Sequence, residues 1–173
     1  MNYTQLIPSP LGNILLSADE IGLTGLWFEG EKYYADALPR EHIERETPIL
    51  MDTKRWLDVY FTGREPDFTP PLHPTGSAFR MTIWRLLLQI PYGQTTTYGE
   101  LAKRLECGRM SAQAVGGAVG HNPISIIVPC HRVVGANGSL TGYASGLERK
   151  IKLLEIEQTD LHGLFRPKKG TAI

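Results

Sequence analysis

The chain's 173 residues carry 18 Lys and Arg against 18 Asp and Glu, a formal net charge of zero, and 42% of them are hydrophobic. That is enough chain for one large or two small domains with real cores, and no apolar run nears the roughly 20 residues a membrane helix needs. Two cysteines, Cys107 and Cys130, exclude a disulfide framework, and a start without basic or apolar signal regions points to a cytoplasmic, reducing setting.

The first thirty residues predict a β-meander. Apolar runs at 3–7, 14–17 and 23–28 are separated by Ser9-Pro10-Leu11-Gly12 and Asp19-Glu20-Ile21-Gly22, which carry turn chemistry. Leu50, Leu57, Tyr60 and Phe61 recur at helical spacing and predict a helix over about 48–61 that Gly63 stops. The prolines of 66–74 forbid regular structure and make this the interdomain connection, which divides the chain into domains 1–74 and 75–173.

Phe79, Ile83, Trp84, Leu87 and Leu88 form the stripe of a helix opened by Ser77 and closed by Ile90-Pro91. A short helix over 98–105 follows the hydroxyl run Thr95-Thr96-Thr97. Cys107-Gly108 turns the chain and 111–119 makes a second short helix, a helix-turn-helix pattern. With Ala112, Ala114, Gly116, Gly117, Ala118 and Gly120 that second helix has almost no bulk. This suits either tight packing within the domain or entry into a nucleic-acid groove. Asn137-Gly138 predicts a hairpin after 132–134, and a final helix over 147–157 buries Leu147, Ile151 and Leu154.

Zero net charge hides an asymmetry. Residues 1–79 hold 6 Lys and Arg against 12 Asp and Glu, a balance of −6, and residues 80–173 hold 12 against 6, a balance of +6. Such a pattern fits a polyanion met by the C-terminal part, or simply an unevenly charged surface.

Residues 126–134 read Ile-Ile-Val-Pro-Cys-His-Arg-Val-Val. The β-branched run predicts a buried, extended segment that delivers Cys130 to the interior. A thiol with a reference pKa of about 8.5 is only a few per cent thiolate near neutrality, so a base or cation beside it matters. His131 and Arg132 directly follow it. On an extended segment His131 points away from Cys130, so a water or a turn must link the two. His131 also reads as a core histidine satisfied by backbone, and a Cys-His protease would draw its pair from distant parts of a chain. The five histidines and two cysteines show no zinc spacing.

The run Pro129-Cys130-His131-Arg132 resembles the active-site signature of the O6-alkylguanine-DNA alkyltransferases, or methylated-DNA–protein-cysteine methyltransferases. The likeness takes in Ile90-Pro91-Tyr92-Gly93-Gln94, Tyr98-Gly99-Glu100-Leu101-Ala102, Ala114-Val115-Gly116, Asn122-Pro123, Val133-Val134-Gly135, Gly142-Tyr143-Ala144 and Gly146-Leu147-Glu148-Arg149-Lys150. It covers 77–157, whereas the N-terminal half matches only in size and strands-then-helix order. The resemblance implies an α+β protein with an N-terminal ribonuclease H-like sheet-and-helix domain and a C-terminal winged helix-turn-helix domain. The latter binds double-stranded DNA containing O6-alkylguanine through the minor groove. It also implies direct-reversal repair in which Cys130 takes the alkyl group irreversibly, once per chain. The protein acts as a monomer with neither metal nor organic cofactor. O4-alkylthymine as a second substrate stays open.

By the same resemblance, His131 takes the thiol proton through a water and Glu157 holds and polarises His131. Asn122 braces the turn beneath the site, while Tyr98 rotates the phosphate beside the target and donates toward the departing guanine. Carbonyls of Cys130 and Val133 and the amide of Ala144 read the base. Tyr143 walls the pocket, and Ser145 stands where glycine or tryptophan is common. Gln113 occupies the position of the arginine that fills the space left by a flipped base, with Arg109 one turn earlier as a partial substitute. Thr96, Ala114 and Gly117 complete the expected DNA contacts. Without the resemblance, Glu157 reads as an exposed helix-terminal glutamate and Tyr98 as a core aromatic. Two rival readings are an alkyltransferase-like lesion binder, which lacks the cysteine, and a thiol-sensing helix-turn-helix regulator, which needs dimeric, sequence-specific binding.

Overall fold

The computed structural model describes residues 1–105 and 112–167. The turn expected at Cys107-Gly108 lies outside them, as does Arg109. Strands β1 (Asn2–Ile7), β2 (Ile14–Ala18) and β3 (Leu23–Phe28) form the expected antiparallel meander. A fourth strand that the sequence pattern does not announce, β4 (His42–Glu44), adds parallel to β1 and gives the order β3-β2-β1-β4. It is three residues long and exposed throughout, so it carries no alternation to read.

Helix α1 (Pro48–Tyr60) begins where the Thr47 side chain accepts from the Leu50 N–H, with Pro48 in the first turn where a missing donor costs nothing. It ends at Tyr60, and the turn that follows closes on Gly63, whose φ of +85° an L side chain resists. Leu50, Trp56, Leu57 and Tyr60 are its buried face, packed on β2 and β3.

The C-terminal half begins with α2 (Ala78–Leu87), capped by Ser77. Strand β5 (Thr96–Thr97) leads into α3 (Tyr98–Lys103), capped by Thr97. Helix α4 (Ala112–Gly120) packs against both α2 and α3. The Trp84 indole N–H donates to the Ala118 carbonyl at 2.9 Å, satisfying an acceptor that the end of α4 leaves open. Both readings of this thin helix find a face. Val115, Gly116, Ala118, Val119 and Gly120 are buried, while Gln113 is exposed and Gly117 looks onto open space.

Two expectations fail around Cys130. Residues 124–134 are not an extended run. Ile126 has a φ of +70°, and the Ile127 and Cys130 N–H groups reach back two residues, to Ser125 and Val128, at 2.8 Å each. Cys130–Arg132 then forms a single 3-10 turn. The β-branched side chains here fill a core rather than a sheet, with Ile124, Ile126 and Val128 at most 1% exposed. The second failure is the hairpin. Asn137-Gly138 does turn the chain, with Gly138 at φ +92° and a Gly135 N–H to Ser139 carbonyl bond of 2.8 Å. However, β6 (Val133–Val134) pairs in parallel with β5, and Ser139 bridges to Phe165. The last helix, α5 (Leu147–Ile156), forms where expected and buries Ile151 and Leu154, but Leu147 is only partly covered and Lys150 and Leu153 join the buried face.

The proline segment stays irregular except at one bridge along the edge of β3. The Leu23 N–H donates to the Pro71 carbonyl and the His73 N–H to the Leu23 carbonyl, both at 2.7 Å. Further along the same edge, the Leu26 N–H donates to the Pro123 carbonyl at 2.8 Å and its carbonyl accepts from the Ser125 N–H at 3.0 Å. One apolar cluster spans both halves, from Phe28, Leu57 and Tyr60 to Trp84, Val115, Cys130 and Leu153.

Replacing Trp84 with Phe leaves the buried Ala118 carbonyl without its donor. The expected cost is about 1–3 kcal/mol in urea unfolding, with faster amide exchange at the end of α4.

Candidate active site

Cys130 opens the 3-10 turn and is 6% exposed. Beneath it lies Asn122, just past α4. The Asn122 Nδ2 group donates to the Val128 carbonyl at 2.8 Å and the Ile124 carbonyl at 3.2 Å, and sits 3.2 Å from Cys130 Sγ. Its Oδ1 accepts from the Ile124 N–H at 3.0 Å. One side chain therefore satisfies the backbone of the tight turns and places a donor on the sulfur. Burial pushes the Cys130 thiol up to about 11, against the pull of Asn122 and Lys150 and with a further push from Glu31. The resting sulfur is a thiol. The cation that follows it in sequence does not serve it, because Arg132 turns the other way.

Arg132 turns toward Glu157, which caps the end of α5 and is 2% exposed. Its Oε1 accepts from Arg132 Nε at 2.8 Å and the Gly93 N–H at 3.0 Å, and its Oε2 from the Tyr60 hydroxyl at 2.6 Å and His131 Nε2 at 2.5 Å. Burial alone would raise this carboxyl, but the bonds and charges of His131 and Arg132 hold it down to about 2. Burial lowers the His131 pKa. The pair is thus carboxylate and neutral imidazole, with the proton on Nε2 facing Glu157. His131 Nδ1 is buried without a hydrogen-bond partner among the described residues and is free to accept. The exposed helix-terminal reading of Glu157 fails.

Lys150, on α5, is fully buried and donates to the Val133 and Thr141 carbonyls at 2.6 Å each. Burial brings it down to about 8, while charge on Cys130 would raise it. The Tyr98 hydroxyl reaches the same Thr141 carbonyl at 3.2 Å, and burial, then the Cys130 charge, raises its pKa. Tyr143 is buried and meets His131 edge-on, ring centroids 6.4 Å apart. Thr96 pairs with Val133. The Cys130 carbonyl already accepts from the Val133 N–H, so it and the Val133 carbonyl each keep one lone pair.

The structure thus brings Cys130, His131, Glu157, Asn122, Tyr143 and Tyr98 into one region. Ser145 is buried and takes an unforeseen partner, Glu31 from the N-terminal half. Ala144 accepts from the Lys32 N–H at 3.1 Å. On α4, Gln113 is exposed and Ala114 and Gly117 are half-buried. Sequence reasoning missed Tyr60, Glu31, Lys150 and the role of Arg132. Lys150 left a signal, since it follows Leu147 by three residues and precedes Leu154 by four, on the buried face of its helix.

A buried thiol, an imidazole backed by a carboxylate and a thin helix in the same half make a nucleophilic-cysteine type of site on a two-part α+β scaffold. The DNA-binding domain of 6-O-methylguanine DNA methyltransferase matches residues 78–159, and its ribonuclease-like domain matches 2–74. The chain belongs to the 6-O-methylguanine DNA methyltransferase family. It is 44% identical over 159 residues to the methylated-DNA–protein-cysteine methyltransferase of Methanosarcina mazei, covering 92% of this chain and 99% of that one. It is 43% identical over 157 residues to the Haemophilus influenzae protein of the same name, covering 90% and 86%. Among solved structures it resembles Mycobacterium tuberculosis OGT in complex with DNA, with a TM-score of 0.80, 40% identity and coverage of 90% and 92%.

Glu157→Ala strips four donors of their common acceptor and leaves Arg132 buried and unpaired. Its expected cost is about 3–5 kcal/mol by denaturant unfolding. Because the folded carboxyl lies near 2, below its unfolded value of 4.5, its stabilisation is complete above 4.5 and fades as pH falls toward 2. The stability gap between the parent and Glu157→Gln should narrow over that window.

Proposed function

We propose that this protein repairs O6-alkylguanine in double-stranded DNA by moving the alkyl group, methyl first of all, onto Cys130, once per chain. The observation that carries this reading is the buried Cys130 thiol sharing one cluster with neutral His131 and ionised Glu157, in a chain of this family. Flipping brings the lesion to the sulfur, since its alkyl carbon is out of reach within the stack.

The thiol proton passes through a water to His131 Nδ1 while Nε2–H stays on Glu157. Sγ attacks the alkyl carbon, the S–C bond forms, the C–O6 bond breaks and its electron pair leaves with guanine. Tyr98 gives guanine a proton and regains one from His131 through solvent, so the thiol hydrogen ends on the base. Burial makes Tyr98 hold its proton tightly, which delays this transfer until charge has developed on the leaving group. No step needs a second turnover, and nothing in the scheme regenerates the thiol.

The free lone pairs of the Cys130 and Val133 carbonyls and the Ala144 amide read the base, and Tyr143 and Ser145 wall it. Gln113, Ala114, Gly117, Thr96 and Arg109 meet the DNA along the minor groove, with Gln113 entering the vacated space. The two domains divide between Pro74 and Thr75. Among the described residues no helix is long and apolar enough to cross a membrane. A reducing cytoplasm is the setting this chemistry calls for.

Incubation with duplex carrying O6-methylguanine should add the mass of one methyl group per chain, mapped to the Cys130 peptide, and Cys130→Ser should leave the lesion in place. Methyl on Cys107, or repair by the serine variant, overturns the proposal. Non-specific DNA binding should weaken steeply with salt through the basic C-terminal half, read as a strongly negative slope of log affinity against log salt.

A further inference from the structure

Residues 29–36 of the N-terminal half pack against Ala144, Ser145 and His121 of the C-terminal half. The Lys32 N–H holds the Ala144 carbonyl at 3.1 Å. The Tyr33 ring stacks on His121, just beyond α4, with centroids 4.1 Å apart. Arg149 fastens the other side, donating to the Leu11, Ser145 and Glu29 carbonyls at 3.0, 3.3 and 3.3 Å. Between these ties sits Glu31, 8% exposed. Its Oε2 takes the Ser145 hydroxyl, and its Oε1 is buried with no hydrogen-bond partner among the described residues. A carboxyl held this way, half-satisfied and out of water, needs a reason.

Its surroundings supply one. The charge on Glu31 acts on Cys130 and on Tyr143, raising both. The groups that act on it are Ser145 from the loop before α5, the Phe28 backbone at the end of β3 and Arg149 from α5, while its own charge acts on Tyr34 of the same loop. Lys32, Asp36, Arg80 and His121 line the cavity of about 230 Å³ beside it. Lys150 is the cation whose charge acts on Cys130 in the contrary sense.

We infer that Glu31 is a positioning residue of the transfer reaction: through Ser145 and its charge near Cys130, the N-terminal domain sets how readily the thiol gives up its proton. The inference rests on Cys130 being the acceptor. A sulfur that can be used once gains from staying protonated until the lesion arrives, because a thiol reacts slowly with stray electrophiles. Burial raises Glu31 to about 7, so this restraint switches on as pH rises through neutrality. Thiol reactivity in the parent should therefore climb less steeply above that point than a simple titration allows.

The test uses the full chain with Glu31→Gln, which keeps shape and removes charge. The rate of iodoacetamide labelling is followed against pH, with peptide mapping to read Cys130 separately from Cys107. The midpoint of the reactive thiolate should fall by about one unit; because Glu31 is only about half ionised near neutrality, the labelling rate there should rise about twofold, and the gain should grow toward tenfold as pH climbs roughly two units higher. Ser145→Ala, which takes away the donor that favours charged Glu31, should shift labelling near neutrality in the same direction by less. Combined with Glu31→Gln, it should add nothing. An unchanged midpoint in a Glu31→Gln protein with parental melting temperature overturns the inference. So does a Ser145→Ala effect that survives intact in the double variant, or, should Glu31→Gln not fold, a Ser145→Ala protein that labels like the parent. Iodoacetamide needs no DNA. A shifted midpoint without methyl transfer would sink the proposed function and leave the part played by Glu31 standing.

Discussion

The Glu157 carboxylate holds this molecule's site together. A charge so deeply buried is tolerable only if every lone pair is used, and here four donors converge on it from α1, the loop before β5 and the 3-10 turn. Its grip on Nε2 decides the tautomer of His131, and its grip on Arg132 anchors the far end of the turn that Cys130 begins. The nucleophile's position is thus set from a carboxylate at the far end of the last helix. Tyr60 brings the N-terminal half into the same arrangement, so the scaffold that looks divisible by sequence is stitched at its chemical centre.

Electrostatics around the sulfur favour the neutral form. Cys130 feels one cation, Lys150, and one carboxyl, Glu31, in opposite senses, with Asn122 as its only close side-chain donor among the described residues. Lys150 spends its hydrogens on two carbonyls and lends the sulfur only a field. Desolvation outweighs these aids, as it generally does for a single buried charge. A proton acceptor that works during the reaction therefore matters more than an anion prepared beforehand, and unpartnered Nδ1 of His131 fits that need.

Most of the fold was legible because strand alternation, caps and glycine stops are local. Thr47, Ser77 and Thr97 each cap the helix they precede, and the three-stranded meander lies where its turns place it. The errors share a cause. Val and Ile favour strands when they have a sheet to join, yet around Cys130 they fill a core instead, and the chain there turns tightly on Asn122. Asn137-Gly138 turned the chain with no antiparallel partner waiting for it. At the site, the motif residues could be assigned from resemblance, whereas Tyr60 and Glu31 could not. Each meets the site across roughly a hundred residues of sequence, 97 between Tyr60 and Glu157 and 114 between Glu31 and Ser145. No local pattern records such a meeting. Lys150 was readable by helical spacing, but a lysine in an amphipathic helix is ordinarily taken for its wet side.

The edge of β3 has a further bearing. Leu23 is bonded to the proline segment and Leu26 to the residues leading into the cysteine's turn, so a margin that would otherwise be open is occupied on both counts. Bare strand margins invite strands from neighbouring molecules. Any event that pried the reactive loop from its seat would also uncover a surface prone to self-association, so preserving the chemistry and avoiding aggregation depend on the same few backbone bonds.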